Sequence, residues 1–162
     1  VELDNASLGA VVGMIEEVTS YLSTHLSLTL GTNLFANVLP EPRSTQDTVM
    51  VGVFEAAGSS PERTYAASPV AWENPRVDVV VRSTQGAAGV PSSTGARRYA
   101  WRAWRALELV KNQKLPTSTG TNSYYLRVEP EQSPYLLERD GQGRYVFGFT
   151  ALVSRVIGTT NG

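Results

Sequence analysis

The spacing of the apolar residues changes along the chain, and this change limits the possible folds more than any other feature. Between about Ala6 and Leu28, apolar residues recur at steps of three and four, which is typical of an amphipathic helix. Glu16 and Glu17 are expected on its solvent side, and Gly31 is a candidate for its C-terminal cap. The apolar residues are Leu8, Val11, Val12, Ile15, Val18, Leu22 and Leu26.

The segments that follow alternate with a period of two, which predicts β-strands. Asn33–Leu39 and Thr48–Ala56 are the first two candidates, and Arg76–Ser83 (RVDVVVRS) is the third. The third places its valines alternately, as expected for a sheet with one face on the core and one wetter face. Val77, Val79 and Val81 face one way, and Arg76, Asp78, Val80 and Arg82 face the other.

A second helical pattern, ARRYAWRAWRALELV at 96–110, is expected to run to about Lys114 and to stop at Pro116. Another strand is predicted at Ser123–Glu129. Ser133–Glu138 and Tyr145–Val156 then read as a hairpin, with Asp140-Gly141 as its turn because glycine tolerates positive φ.

The resulting order is α-β-β-β-α-β-β-β, which predicts an α+β fold. We expect a mostly antiparallel sheet of about five to six strands, flanked by two amphipathic helices, in a single domain spanning 1–162. With 41% apolar and 18% charged residues, the composition is that of a globular chain. Long loops are predicted at 56–75 and 83–95, and a frayed C-terminus at 158–162.

Signs of catalysis are few. The chain has no cysteine, which excludes disulfides and thiolate metal sites, and His25 is its one histidine. No nucleotide-binding, serine-hydrolase or zinc-protease motif occurs. Acidic pairs such as Glu129 and Glu131 fall at strand ends, where they are expected to be solvated. We therefore expect neither an enzyme nor a bound metal or cofactor.

The second helix carries the most informative surface. At 100° per residue, Tyr99, Ala103, Ala106, Leu107 and Val110 form a core stripe, Trp104 lies at its boundary, and Trp101 and the arginines face outward. Tryptophan and arginine together are typical of protein–protein interfaces, although a loop of the same subunit could instead cover Trp101. The 56–75 loop, with two aromatic residues, is either a second contact or a disordered insertion. The predicted interface residues are Trp101, Arg97, Arg98, Arg102, Arg105, Arg63, Tyr65 and Trp72.

Charge and hydropathy limit the other partners. A formal net charge of -1 argues against a protein whose whole surface binds nucleic acid, but a nucleic-acid-binding module that uses the arginine-rich helix stays open. No apolar run approaches the roughly 18 residues of a membrane span, so no membrane partner is expected. The opening VELDNASLGAVVGMIEE lacks a basic region, so we expect no signal peptide and an intracellular, soluble protein.

Four segments together resemble a known family: MIEEVTSYLSTHL, ENPRVDVVVRS, AWRAWRALELV and SYYLRVEPEQSPYLLERDGQGRYVFGFTALV. Over about residues 8–156 the chain resembles the minor capsid or tail-terminator (tail-completion) proteins of long-tailed bacteriophages. The resemblance implies an α+β structural protein with no catalytic motif to carry over. The chain departs from the family in the length of the predicted loops at 56–75 and 83–95.

The resemblance also implies a set of partners and a place. Such proteins form hexameric rings that cap the finished tail tube, stop its polymerisation and face the neck of the DNA-filled head. The implied partners are other copies of the chain, the tail tube protein, a head-closure or neck protein, and genomic DNA that passes through the lumen without sequence-specific binding. The implied location is the virion tail or neck, after assembly in the host cytoplasm; a head-closure or neck adaptor is the alternative.

A ring that closes head to tail needs two different surfaces on each subunit. The face carrying Trp101 and the arginines is one candidate. The acidic positions Glu16, Glu17 and Glu55 are candidates for the complementary surface.

Overall fold

A computed structural model of the chain describes residues 5–41, 49–63, 71–83, 93–115, 123–141 and 143–157. These residues form two helices and seven strands, an α+β arrangement as the sequence predicts. In chain order the elements are α1 (Asn5–Leu26), β1 (Leu34–Ala36), β2 (Met50–Arg63), β3 (Ala71–Arg82), α2 (Ser93–Glu108), β4 (Lys111–Leu115), β5 (Ser123–Pro130), β6 (Tyr135–Arg139) and β7 (Tyr145–Ile157).

The described strands form a single mixed sheet in the order β1-β2-β3-β7-β5-β4, with β6 also paired to β7. β1 runs parallel to β2, and the other pairs are antiparallel. The prediction of a mostly antiparallel sheet is therefore corrected to a mixed sheet. β1 and β2 can be parallel because the chain between Ala36 and Met50 is long enough to return to the end of the sheet at which β1 begins.

Strands β5 and β6 follow one another along the same edge of β7. β5 pairs with β7 from Ala151 to Val156, and β6 pairs with it from Tyr145 to Gly148. β4 extends the sheet beyond β5 only. Within the described part of the chain, the outer edge of β6 therefore has no strand beside it.

Both helices pack on one face of the sheet, and the core lies between this helical layer and the sheet. The alternating valines of β3 and the aromatic residues of β7 point toward the helices, as the period-two pattern predicts. From α2 the buried face consists largely of small residues, because Ala96, Ala100 and Ala103 are completely buried. Alanine has no side chain beyond Cβ, so α2 lies close to the strands beneath it.

Both helices end earlier than the sequence predicts. α1 ends at Leu26 because Ser27 takes a positive φ of 54° and the N–H of Leu28 donates to the carbonyl of Ser23, which is a Schellman cap. Gly31 lies beyond this end. α2 ends at Glu108 rather than near Lys114, and Lys111–Leu115 forms strand β4.

The predicted loop at 56–75 is wrong for most of its length. β2 continues through Arg63 and β3 already begins at Ala71, so only 64–70 lies between the strands, outside the described residues. The two strands stay paired through register shifts between Ala56 and Ser59 and between Ser59 and Glu62. Of the predicted loop at 83–95, residues 84–92 are outside the described residues, and α2 starts at Ser93; the predicted frayed end at 158–162 is also outside them.

The predicted hairpin between β6 and β7 is present. Its turn is held by Asp140, which accepts a hydrogen bond from the N–H of Arg144 at 2.8 Å. The residue with positive φ is Gly143, at 75°, and not Gly141. The side chain of Asp140 thus closes the turn by accepting from the backbone at the start of the next strand.

Candidate interaction surface

Helix α2 presents two different surfaces beside its buried face. One flank of the helix turns toward the connection between β5 and β6, and the side opposite the core turns toward solvent. We call the flank residues Arg97, Trp101 and Trp104 the tryptophan stripe. We call the solvent-facing residues Arg98, Arg102, Arg105 and Leu109 the arginine stripe.

The tryptophan stripe is held by contacts within the subunit. Trp104 packs against the core, and its Nε1–H donates to the carbonyl of Gln132 at 3.0 Å. The guanidinium of Arg97 lies 5.4 Å from the centre of the Phe147 ring, within cation–π range. Trp101 is half-buried, with its ring centre 5.5 Å from that of Trp104. The structure thus places Trp101 against its own helix neighbour with part of its surface still accessible.

The arginine stripe is a concentrated positive surface. Arg98 and Arg105 are exposed, Leu109 is 69% exposed, and Arg102 lies half-buried over the ring of Tyr99 at 5.2 Å. Neither these three arginines nor Arg97 forms an ion pair with any described residue. The helix therefore offers uncompensated cations, beside an exposed apolar side chain, to whatever meets this face.

Of the three candidate acidic positions, Glu16 and Glu55 are exposed but Glu17 is buried, which corrects its predicted place on the solvent side. Glu17 Oε2 accepts a hydrogen bond from the Tyr125 hydroxyl at 2.5 Å and lies 3.8 Å from Arg155 Nη1. Burial, and then the hydrogen bond and negative charge of Glu17, raise the pKa of Tyr125. Glu17 therefore joins α1 to the sheet and leaves the set of candidate contact residues.

The predicted residues of the 56–75 segment lie at the other end of the sheet from Arg97. Arg63 and Trp72 belong to β2 and β3, and Trp72 is in register with Val156 of β7. Val156 and Phe147 are nine residues apart along β7, which corresponds to ~30 Å. The structure therefore does not bring these two positions to the arginine-rich helix, and Tyr65 lies outside the described residues.

The sheet face opposite the helices carries a feature that the sequence analysis did not single out. A groove of about 120 Å³ is lined there by side chains of β3, β6 and β7. At its base Asp78 accepts a hydrogen bond from the Thr150 hydroxyl at 2.6 Å. The alternation in RVDVVVRS does place Asp78 on the wetter face, but no local signal shows that Tyr135 and Leu137 of β6 form the groove wall.

His25 and the acidic side chains are the residues that bear on catalytic and metal-binding chemistry. His25 is exposed, and its Nδ1 lies 3.0 Å from the carbonyl of Tyr21 on its own helix. Within the described residues no group of three His, Cys, Asp or Glu side chains is placed to hold a metal ion. Neither helix, over its described residues, is both long and apolar enough to cross a membrane.

Comparisons with known proteins add a family. A family model described as bacteriophage tail terminator protein matches residues 21–157, from the C-terminal part of α1 to the end of β7. Among solved structures, a chain of the "virion of native gene transfer agent (GTA) particle" has a TM-score of 0.38 and 13% identity, covering 90% of this chain and 97% of that chain. No curated protein matches this chain. The family match includes all of α2 and the whole described sheet.

Proposed function

Because the chain belongs to the bacteriophage tail terminator protein family and is therefore a structural component of a phage virion, we propose that it forms a hexameric ring that ends the tail tube and joins it to the head or neck. The observation that carries this proposal is the family match over residues 21–157. In this role the chain acts by contact: copies close into a ring, one side of the ring meets the tail tube protein, and the other meets a head-closure or neck protein.

The arginine and tryptophan stripes support the subunit contact. A closed ring of identical subunits is built from a head-to-tail contact between two different surfaces. Half-buried tryptophan beside arginine is the composition of energetic hot spots in protein interfaces. In this proposal Trp101, with Arg98, Arg102 and Arg105, lies at the contact, and Arg97 holds the adjoining flank through Phe147. Arg63 and Trp72 belong to a separate partner contact at the far end of the sheet, and the predicted contact residue Tyr65 lies outside the described residues.

A second function, direct DNA binding by α2, is favoured by one observation. The four arginines of the two stripes have no described acidic partner, and phosphate contacts dominate the affinity of proteins for DNA. The formal net charge of -1 weighs against it, since the chain as a whole does not attract a polyanion. A lumen that lets genomic DNA slide is better served by a mixed charge lining than by a uniformly basic one.

The ring is tested by the mass of the purified protein, measured by native mass spectrometry over a range of concentrations, alone and with purified tail tubes. A closed species of six subunits that binds tube ends is the expected result. Binding to heads that carry a portal, with no binding to tubes, would instead support a neck adaptor. A protein that stays monomeric at every concentration in both mixtures contradicts the ring.

A further inference from the structure

The outer face of the sheet, opposite the helices, has no described helix on it. Its groove lies above Gly148, where Leu137 reaches across from β6, and is bordered by Val80, Tyr135 and Thr150. Pockets that hold drug-sized ligands or cofactors occupy about 300–1,000 Å³. At about 120 Å³ this groove is too small for such a ligand and matches the end of one side chain.

The residues around the groove determine which type of side chain could occupy it. Asp78 is half-buried at its base and forms no ion pair with any described residue. The nearest cation on the same face of β3 is Arg76, which is engaged with Glu131 at 3.0 Å and with the carbonyl of Ala57 at 3.3 Å. A partly desolvated carboxylate flanked by an aromatic ring and a leucine accommodates a guanidinium on an apolar stem.

The opposite face of the same subunit carries exposed arginine side chains, which are of this type. Arg98 and Arg105 of α2 point away from the sheet, are exposed and have no described acidic partner. Outside the four arginines of α2 the sequence has 10 basic and 15 acidic residues, so the rest of the subunit is net negative. Positive charge is thus concentrated on one face, and a carboxylate with an arginine-sized recess lies on the other.

We propose that the arginine stripe of one copy docks on the outer sheet face of the next copy, with Arg98 or Arg105 inserted into the groove against Asp78. The contact is head-to-tail because it uses two different faces, so it repeats from subunit to subunit. Leu109, on the same stripe, packs against the apolar wall of Tyr135 and Leu137. This inference rests on the proposed ring, since it names the pair of surfaces that closes it.

Charge reversal tests the pairing directly. Asp78→Arg is expected to weaken self-association about tenfold or more, because it places an arginine in the groove opposite the arginine of the next copy. Adding Arg98→Asp or Arg105→Asp to this variant is expected to restore association in one of the two combinations. Glu16→Arg and Glu55→Arg are the matched controls. They reverse the two other exposed acidic candidates for the complementary surface, which the groove contact does not use, so each should leave association unchanged. Loss of association in the controls but not in Asp78→Arg, or rescue by neither combination, overturns the pairing.

Crosslinking provides a second test, because it reports which two positions lie close together when subunits meet. The chain has no native cysteine, so Asp78→Cys and Arg105→Cys subunits can be mixed and joined with a short bismaleimide. A spacer is needed because a disulfide requires Cβ atoms within ~4.5 Å, closer than two positions joined through an arginine side chain. Mixed dimers are expected with Asp78→Cys paired to Arg105→Cys or to Arg98→Cys, and not with Glu16→Cys paired to either.

The two proposals fail in different ways. A ring seen by native mass spectrometry in which neither arginine position crosslinks to position 78 overturns the groove contact and leaves the ring standing. Crosslinked mixed dimers, together with native mass spectra that show open head-to-tail oligomers and no closed species, support the groove contact and overturn the ring. Circular dichroism and urea unfolding of each variant establish that the subunits are folded, so that loss of association is not mistaken for loss of structure.

Discussion

The hydroxyl of Tyr125 donates a 2.5 Å hydrogen bond to Oε2 of Glu17, joining β5 to α1 across 108 residues of sequence in the interior of the subunit. Arg155 of β7 lies 3.8 Å from the same carboxylate oxygen, and all three side chains are buried. A buried ion pair is costly to form but more costly to break, because removal of one partner leaves a charge without its compensation. This cluster fixes where α1 sits on the sheet.

Glu17→Gln is expected to lower the free energy of unfolding by ~3–5 kcal/mol, because Arg155 loses its carboxylate partner. Glutamine still accepts the hydrogen bond from Tyr125, so the loss reports mainly the charge. Glu16→Gln, one residue earlier and exposed, should stay within about 0.5 kcal/mol of the unaltered chain. Urea unfolding measures both variants, and equal effects at the two positions would contradict the role of the cluster.

Alkaline pH is expected to destabilise the fold through its buried tyrosines. Because the pKa of Tyr125 is raised in the folded state, its stabilising contribution is complete below its ordinary value of 10.0 and is lost as the pH rises above it. Burial also raises the pKa of Tyr21. The free energy of unfolding should therefore fall above about pH 10, by up to ~1.4 kcal/mol per pH unit for each tyrosine. Tyr125→Phe should make this fall shallower, and an unchanged slope would rule out its contribution.

Gly148→Ala is expected to destabilise the subunit by ~1–3 kcal/mol. A Cβ at this position would lie 2.7 Å from Leu137 Cδ1 and 2.9 Å from the carbonyl oxygen of Val79, so the Leu137 side chain must move and the backbone of β7 or β3 must give way. The displaced Leu137 also changes the groove wall, so self-association should weaken as well. Gly141→Ala is the control because nothing lies within 4 Å of its Cβ position. Thermal unfolding that ranks the two variants equally would contradict the close contacts of Gly148 with Leu137 and with the Val79 carbonyl.

Trp101→Ala is expected to leave the subunit folded while weakening assembly. Trp101 is half-buried against Trp104, whereas Trp104 packs on the core and donates to Gln132. Trp104→Ala should therefore lower the free energy of unfolding more than Trp101→Ala does. Urea unfolding and native mass spectrometry of the two variants separate the effects. If Trp101→Ala prevents folding, the residue belongs to the core and not to the contact.

Replacing Arg98 and Arg102 together by alanine is expected to weaken assembly. In the rings that still form at high protein concentration, the salt dependence of DNA binding should be unchanged, because the neighbouring subunit covers this face. Binding of a short DNA duplex is measured as the logarithm of affinity against the logarithm of salt concentration. A slope that becomes shallower by about 1 for each arginine removed would support DNA binding by α2 instead. Arg127→Ala, an exposed arginine outside α2, is the control.

The sequence predicts best the elements whose buried side chains recur at a regular spacing and pack against one surface. β3 was predictable because three alternating valines meet the helices, and α2 because its buried alanines and Leu107 return at helical steps. β4 was missed because KNQKL is polar and lies at the sheet edge, where pairing with β5 supplies the strand conformation. The continuation of β2 through Arg63 was missed because AAGSSPER has turn composition, and its pairing with β3 decides the structure.

The candidate surface was predictable only in its local part. The helical period separates the arginines from the core, but it cannot show that Trp104 bonds to Gln132 or that Trp101 is half-buried. Glu17 has the same local surroundings as Glu16, and its burial depends on Tyr125 and Arg155, more than 100 residues away. Asp78 becomes notable only when β6 is folded beside β7.

The three buried alanines of α2 also determine the thickness of the subunit. Since Ala96, Ala100 and Ala103 have no rotatable side chain, the separation between the helix axis and the sheet cannot be adjusted by a change of rotamer. In the proposed contact the arginines and the groove lie on opposite sides of that layer, so its thickness sets the spacing from one copy to the next. That spacing repeats at every contact of the proposed ring, so a single larger side chain at one of these alanines would be felt at each of them.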